Sequence, residues 1–341
     1  MYAYQEPRVR FRKIREIGQE GRNSSVYTIH DANLDATLAI KEVRKDSGYF
    51  HPSYFEEAQI LYKSVHPNVV QVMYACEDDE NVYVATPFYE NGSLKSFMAN
   101  RFLTVREIIK FSCQFLNGLH NIHSKGLYHF DIKPDNILLS DRYEALLSDF
   151  GQSREINEHG LAQQPRQYNK IVAPEFFGNN YLDSRSDIYQ AGLTLYHMCV
   201  GTVEFDSQIA RYATVRDLGH AKRTGTFPDF GRYPLHIPQK LQRVIRKSLR
   251  ANPQDRYHSV LDMVNALADI DGPVLDWQYS VDHGTRNWHQ ITEDGYVKKL
   301  SVCPASTSVA HKYRDGAAER RVTAYCSNSI TEQQIVEFLN Q

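Results

Sequence analysis

Asp149-Phe150-Gly151 follows thirteen residues past Asn136, the last member of His129-Phe130-Asp131-Ile132-Lys133-Pro134-Asp135-Asn136. No other stretch of this 341-residue chain constrains the fold as tightly, because it sets carboxylates, an ammonium and an amide in a fixed order. Either motif alone reads as a loop, since Asp, Asn and Gly bond neighbouring backbone and tolerate turn dihedrals. Together they supply what phosphoryl transfer uses. A carboxylate orients the attacking hydroxyl, a cation meets the moving phosphate, and an amide and a second carboxylate hold magnesium.

Upstream, short alternating apolar runs punctuated by Gly, Asn and Asp predict three antiparallel strands, around Ile14–Ile17, Ser25–Ile29 and Leu38–Val43. The segment Gly18 to Val26 between the first two carries Gly21 and Ser24. Glycines in such a hairpin let backbone amides approach phosphates. A helix begins near Ser53, with Glu56 three residues on as a capping-box partner. Glu57 shares its inner face with Ile60 and Leu61, at the i+3 and i+4 positions. Thr104 to His123 reads as a helix with a Thr104/Glu107 capping box and an apolar stripe at Ile108, Phe111, Phe115, Leu119 and Ile122.

These motifs resemble the eukaryotic-type (Hanks-type) protein kinases, serine/threonine branch. The resemblance covers about Phe11 to Ile270 and is carried by the H-x-D-x-x-x-x-N loop, Asp-Phe-Gly, the Ala39-Ile40-Lys41 strand, Ala173-Pro174-Glu175 and the Asp187–Gly192 helix start. It implies an α+β, two-lobed kinase fold: a small β-rich N-lobe over about 11–88 and a larger helical C-lobe over about 89–270. Asp131 is then the catalytic base, Lys133 neutralises the γ-phosphate, and Lys41, fixed by Glu57, holds the α- and β-phosphates. Asn136 and Asp149 become ligands of Mg2+, with Mn2+ as a substitute. ATP would be bound by Gly18, Gly21, Ser24, Val26, Ala39, Lys41, Leu138 and a hinge at Thr86, Pro87 and Tyr89. Lys133-Pro134 favours serine or threonine as acceptor. Glu175 is expected to pair with Arg256, and Asp187 to support the catalytic-loop backbone.

The chain departs from the family at three places. Ser24 replaces the third glycine in a loop one residue longer than usual, Phe130 replaces the Arg before the catalytic Asp, and Tyr168 stands where a Thr is usual. In the family that Arg binds a phosphorylated activation loop, so its loss implies a kinase that needs no such phosphorylation. Between Gln152 and Val172 the only hydroxyl residues are Ser153 and Tyr168. The alternative is a pseudokinase or scaffold that acts through nucleotide-dependent protein binding. A small-molecule kinase of the aminoglycoside phosphotransferase type would keep the catalytic loop but lack Asp-Phe-Gly and Ala-Pro-Glu.

A formal net charge of −2 gives no long-range pull toward nucleic acid or anionic membrane, so neither is expected as a partner. The five scattered cysteines contain no Cys-x-x-Cys pair, which argues against a disulfide framework or zinc knuckle; a Cys303–Cys326 link alone is conceivable. With no signal peptide and no apolar run of membrane-spanning length, a cytoplasmic, soluble protein is expected.

After Asp271-Gly272-Pro273 the texture changes. Alternating runs at Val274–Val281, Gly295–Cys303, Ser308–Tyr313 and Arg321–Cys326, then a capped helix at Thr331–Leu339, predict a small α+β accessory domain over 274–341. It is near the lower size limit for independent folding, so it is expected to pack on the larger lobe or recruit a protein partner. Asp282, His283, Arg286 and His289 read as polar hairpin tips more readily than as a metal site.

Overall fold

The computed structural model describes residues 8–19, 24–45, 55–163, 165 and 170–341. The strands β1 (Phe11–Gln19), β2 (Ser24–Asp31) and β3 (Ala36–Arg44) are followed by helix α1 (Glu56–Lys63), then β4 (Tyr74–Glu77) and β5 (Asn81–Pro87). They form one antiparallel five-stranded sheet in the order β1-β2-β3-β5-β4. Its apolar face is set by alternation: Ile29, Leu38, Ile40, Tyr83 and Ala85 bury together. Asp31 fixes the β2–β3 turn by accepting from the amides of Asn33 and Leu34 and from the Tyr74 hydroxyl.

A mainly helical region follows. It contains α2 (Leu94–Met98), α3 (Val105–Ser124), the short strands β6 (Leu127–Tyr128), β7 (Ile137–Leu139), β8 (Ala145–Leu147), β9 (Arg154–Glu155), β10 (Ala162–Gln163) and β11 (Tyr181–Leu182), and helices α4 (Ser184–Val200), α5 (Thr202–Ile209), α6 (Val215–Thr224), α7 (Gln239–Ser248) and α8 (Val260–Ala268). The α3 capping box is present as the sequence predicts, with Thr104 accepting from the Glu107 amide and Glu107 accepting from the Thr104 amide. Its predicted stripe is fully buried. Helix α4 is buried on every face from Ser186 to Val200, which makes it the axis of this region. At Gly192 a Cβ would lie 2.6 Å from Ser248 Cβ, so α4 and α7 approach as closely as they do only with glycine there.

The last part of the chain forms a separate four-stranded antiparallel sheet, β12 (Gln278–Asp282), β13 (Thr285–Ile291), β14 (Tyr296–Val302) and β15 (Ser308–Arg314), closed by α9 (Glu332–Leu339). Trp277, Trp288, Leu300, Ile335 and Phe338 make its own core. Sequence periodicity misplaces two features here. The run from Arg321 to Cys326 is no strand but a short 3-10 turn, tied to β15 by one bridge between His311 and Arg321. Conversely, Arg286 and His289 are not hairpin tips. They lie in β13, whose alternation is hidden because polar Gln290 is buried beside Trp288 while apolar Ile291 is exposed. Cys303 and Cys326 are both free thiols.

This module rests on the helical region. Trp288 Nε1 donates to His236 Nδ1 at 3.3 Å, Tyr279 packs against Phe102 and His236, and Arg106 grips Asp276 with two hydrogen bonds. The buried aromatic contacts carry the interface, since the Arg106–Asp276 pair is largely exposed and such pairs contribute ~0–1 kcal/mol. Among the described residues no helix is long and apolar enough to cross a membrane.

Candidate active site

Three segments build the site: the sheet, helix α1, and the loops on either side of β7 and β8. In β3, Lys41 pairs with Val26 of β2 and Val84 of β5, and its side chain crosses toward α1. There Glu57 meets it, with Lys41 Nζ 2.9 Å from Oε2 and 3.1 Å from Oε1. The helix begins at Glu56 with Phe55 in the N-cap position and no side-chain cap; Ser53 lies outside the described residues. Glu56 is exposed, whereas Glu57 points inward beside buried Ala58 and Leu61.

Lys41 also reaches Asp149, at 3.4 Å from Oδ1. The aspartate adopts φ 57°, a left-handed conformation that turns its carboxylate back toward the sheet. Burial opposes ionisation of Asp149, but the Lys41 ammonium outweighs it and holds the carboxyl below its usual range.

The catalytic-loop segment is organised from beneath by α4. Asp187 accepts from the backbone amides of His129 (2.8 Å) and Phe130 (2.7 Å) and bonds His123 Nε2 at 2.8 Å. Gln190 brackets the same turn, accepting from the Ile132 amide and donating to the Phe130 carbonyl, and Thr194 donates to the Ile132 carbonyl. Only Asp187 was legible from motif spacing. Gln190 and Thr194 lie one and two turns further along the same face of α4, a signal visible once a helix is assigned there. The result is a loop whose backbone is fixed before any ligand arrives.

On that loop, Asp131 is 3% exposed, and its Oδ2 accepts from both Lys133 Nζ and Asn136 Nδ2 at 2.7 Å. A second bond from Asn136 Nδ2 goes to the Asp131 carbonyl, so both amide hydrogens turn inward and the side-chain oxygen remains for another partner. Burial works against the Lys133 ammonium, yet the Asp131 carboxylate raises it above its ordinary value. His129 is buried and neutral. Nδ1 accepts from the Asp131 amide, which assigns the ring hydrogen to Nε2 facing the Ser148 carbonyl.

Between sheet and helical region lies a cleft of about 670 Å³. Gly18, Val26, Ala39, Lys41, Glu57, Thr86, Pro87, Tyr89, Lys133, Asn136, Leu138 and Asp149 all line it. Ser24 does not; it sits opposite Val43 at the start of β2, away from the cleft wall. Gly21 lies outside the described residues, as does Tyr168. Leu61, Val70 and Val84 also line the cleft and were not assigned to the site from sequence, because apolar core residues carry no motif. Among the described residues no cluster of three His, Cys, Asp or Glu gathers elsewhere as a metal site, and Asp282 and His283 form only an exposed hairpin tip.

Beyond the cleft, Arg256 grips Glu175 with two bonds, at 2.8 and 2.7 Å, as the motif order predicts. Phe130, at φ 61°, inserts its ring into an apolar cluster with Tyr128, Ala162, Val172, Phe176 and Leu182. That cluster joins the catalytic loop to the middle and the end of the segment 152–172, at Ala162 and Val172.

Residues 11–266 match the family described as protein kinase domain. The chain is 28% identical over 298 residues to serine/threonine-protein kinase PknD of Chlamydia trachomatis, covering 76% of this chain and 31% of that protein. It is 27% identical over 260 residues to serine/threonine-protein kinase PrkC of Bacillus subtilis (74% and 39%), and 27% identical over 340 residues to serine/threonine-protein kinase PknD of Chlamydia caviae (87% and 35%). The chain thus spans about a third of the length of the relatives it matches.

Proposed function

The chain belongs to the protein kinase family, and on that premise we propose that it transfers the γ-phosphate of ATP to serine and threonine hydroxyls of proteins. The reading rests on one observation: Lys41, Glu57, Lys133, Asn136 and Asp149 converge on a single cleft, with Asp131 bonded directly behind Lys133 and Asn136. A cleft of this size suits a nucleotide. The amide oxygen of Asn136 and the ionised Asp149 fit the hard oxygen donors that Mg2+ or Mn2+ prefers. Bound there, the ion neutralises charge on the phosphate oxygens.

The side chains divide the remaining work. Glu57 holds Lys41 extended so that its ammonium meets the α- and β-phosphates without reorganising. Asp131 orients the acceptor hydroxyl and receives its proton, while Lys133 stays charged beside it to meet the γ-phosphate. Lys133-Pro134 and the names of the matched relatives favour Ser and Thr over Tyr.

The kinase domain spans 11–270 and the accessory domain 274–341. The latter is held on the helical region and recruits a protein partner through its outer surface. The enzyme is competent without activation-segment phosphorylation: Phe130 replaces an anion-seeking Arg by an apolar anchor, and Ser153 is buried at 3% exposure.

Incubation of the full chain with Mg2+ and radiolabelled ATP, alone and with dephosphorylated casein, tests this reading beside an Asp131→Asn control. Phosphoserine or phosphothreonine that vanishes in the control is the expected result. Phosphotyrosine overturns the acceptor assignment, and nucleotide binding without transfer favours a scaffold.

A further inference from the structure

Lys222 in α6 is 2% exposed, yet it makes no ion pair with any described carboxylate within salt-bridge distance. A buried ammonium is costly unless its hydrogens are satisfied. Here Nζ donates to two backbone carbonyls, Lys170 O at 2.7 Å and Val172 O at 2.8 Å. The rings of Tyr189 and Phe227 flank it, with centroids 5.6 and 5.9 Å away. Burial pulls the group down to about 7. Ammonium and neutral amine alike carry the two hydrogens that the carbonyls take, so the clamp does not depend on protonation.

The bracketed residue is Ile171. Lys170 and Ile171 line a cavity of about 330 Å³ that Lys133, Pro134 and Asp135 line as well. The helix that carries Lys222 is itself pressed against the turn that follows. A Cβ at Gly219 would lie 2.2 Å from Phe177 Cε2, and the Arg223 guanidinium covers that ring at 5.4 Å.

We propose that Lys222 is a positioning residue for the protein acceptor: by holding the main chain at 170 and 172 it keeps the wall of this cavity in register with Asp131 and Lys133. The inference rests on the kinase reading. Because the clamp grips carbonyls, it orders the end of the segment without requiring any side chain or phosphate of that segment.

Lys222→Met removes the amine at nearly constant volume. With casein as acceptor, kcat/KM for the acceptor is expected to fall about 10²-fold, the cost of an ångström of misplacement, while the KM for ATP stays at the wild-type value. Lys222→Gln, which keeps two amide hydrogens on a shorter stem, is expected to recover part of the loss. Unchanged acceptor kinetics overturn the proposal. So does a loss in which ATP and acceptor parameters worsen together, which marks a merely structural role.

Hydrogen exchange at amides 170–173 separates this idea from the kinase reading. Should the wild-type chain transfer no phosphate, faster exchange there in Lys222→Met, with the β3 and α4 amides unchanged, still supports the clamp, and equal exchange overturns it. If neither variant folds, the wild-type chain decides: these amides exchanging as slowly as those of the catalytic loop support a held segment, and exchange at open-loop rates refutes it.

Discussion

Lys133 Nζ lies 2.7 Å from Asp131 Oδ2, the same oxygen that takes the Asn136 amide. The proposed base is therefore oriented by two partners on its own loop. Asp131→Asn retains the shape and loses the proton acceptor. Phosphoryl transfer is expected to fall ~10²–10⁴-fold, the range for loss of a positioned base. Single-turnover rates measured beside ATP affinity check this, and ATP affinity should not weaken.

Lys41→Met leaves Glu57 and Asp149 facing each other without the cation that joins them. The kcat is expected to drop ~10²–10³-fold, the scale for removing one preorganised electrostatic contact. Glu57→Gln keeps the size and a hydrogen-bonding group, so its loss should be smaller. If Glu57→Gln matched Lys41→Met in steady-state kinetics, the lysine would have a role independent of its partner.

Arg256 is wholly buried and Glu175 nearly so. Removing one member of such a pair strands the other charge, so Arg256→Ala is expected to cost ~3–5 kcal/mol of stability. The double variant Glu175→Gln/Arg256→Met should be more stable than Arg256→Ala. Urea unfolding of the variants, with equal slopes, provides the comparison.

Phe130→Ala empties the cluster that ties the catalytic loop to the segment 152–172, at a cost of ~3–5 kcal/mol. Phosphatase treatment of the wild-type chain, by contrast, should leave its rate unchanged. Loss of activity on dephosphorylation would refute the apolar-anchor account.

His236, where the accessory module meets the helical region, has its basicity pulled down to about 3 by burial. Unfolded, it titrates near 6.5, so below that pH the unfolded chain binds a proton that the folded chain refuses. Stability from this group is full above pH 6.5 and is lost as pH falls toward 3, by about 1.4 kcal/mol per pH unit. His236→Asn keeps an acceptor for Trp288 Nε1 and cannot titrate. Its stability should therefore decline less steeply between pH 6.5 and 4.5 in urea titrations.

The sequence by itself determined the elements whose cause is local or whose chemistry is rare. Thr104 and Glu107 cap α3 because capping geometry involves only the first turn of a helix, and the stripe behind them is buried because its period matches that turn. The order Asp131, Lys133, Asn136, Asp149 was readable because few chains carry those groups at those separations. Local alternation failed in the accessory module, where β13 buries polar Gln290 and exposes Ile291, and where the Arg321–Cys326 run meets β15 at one bridge before turning into a 3-10 turn. Tertiary structure alone decided which side chains work through distance: Gln190 and Thr194 beneath the catalytic loop, Lys222 on two carbonyls some fifty residues upstream, His236 under Trp288. Each binds backbone or an aromatic edge that any sequence can present. Such partners are selected by proximity in the folded chain, and a linear pattern leaves no trace of them.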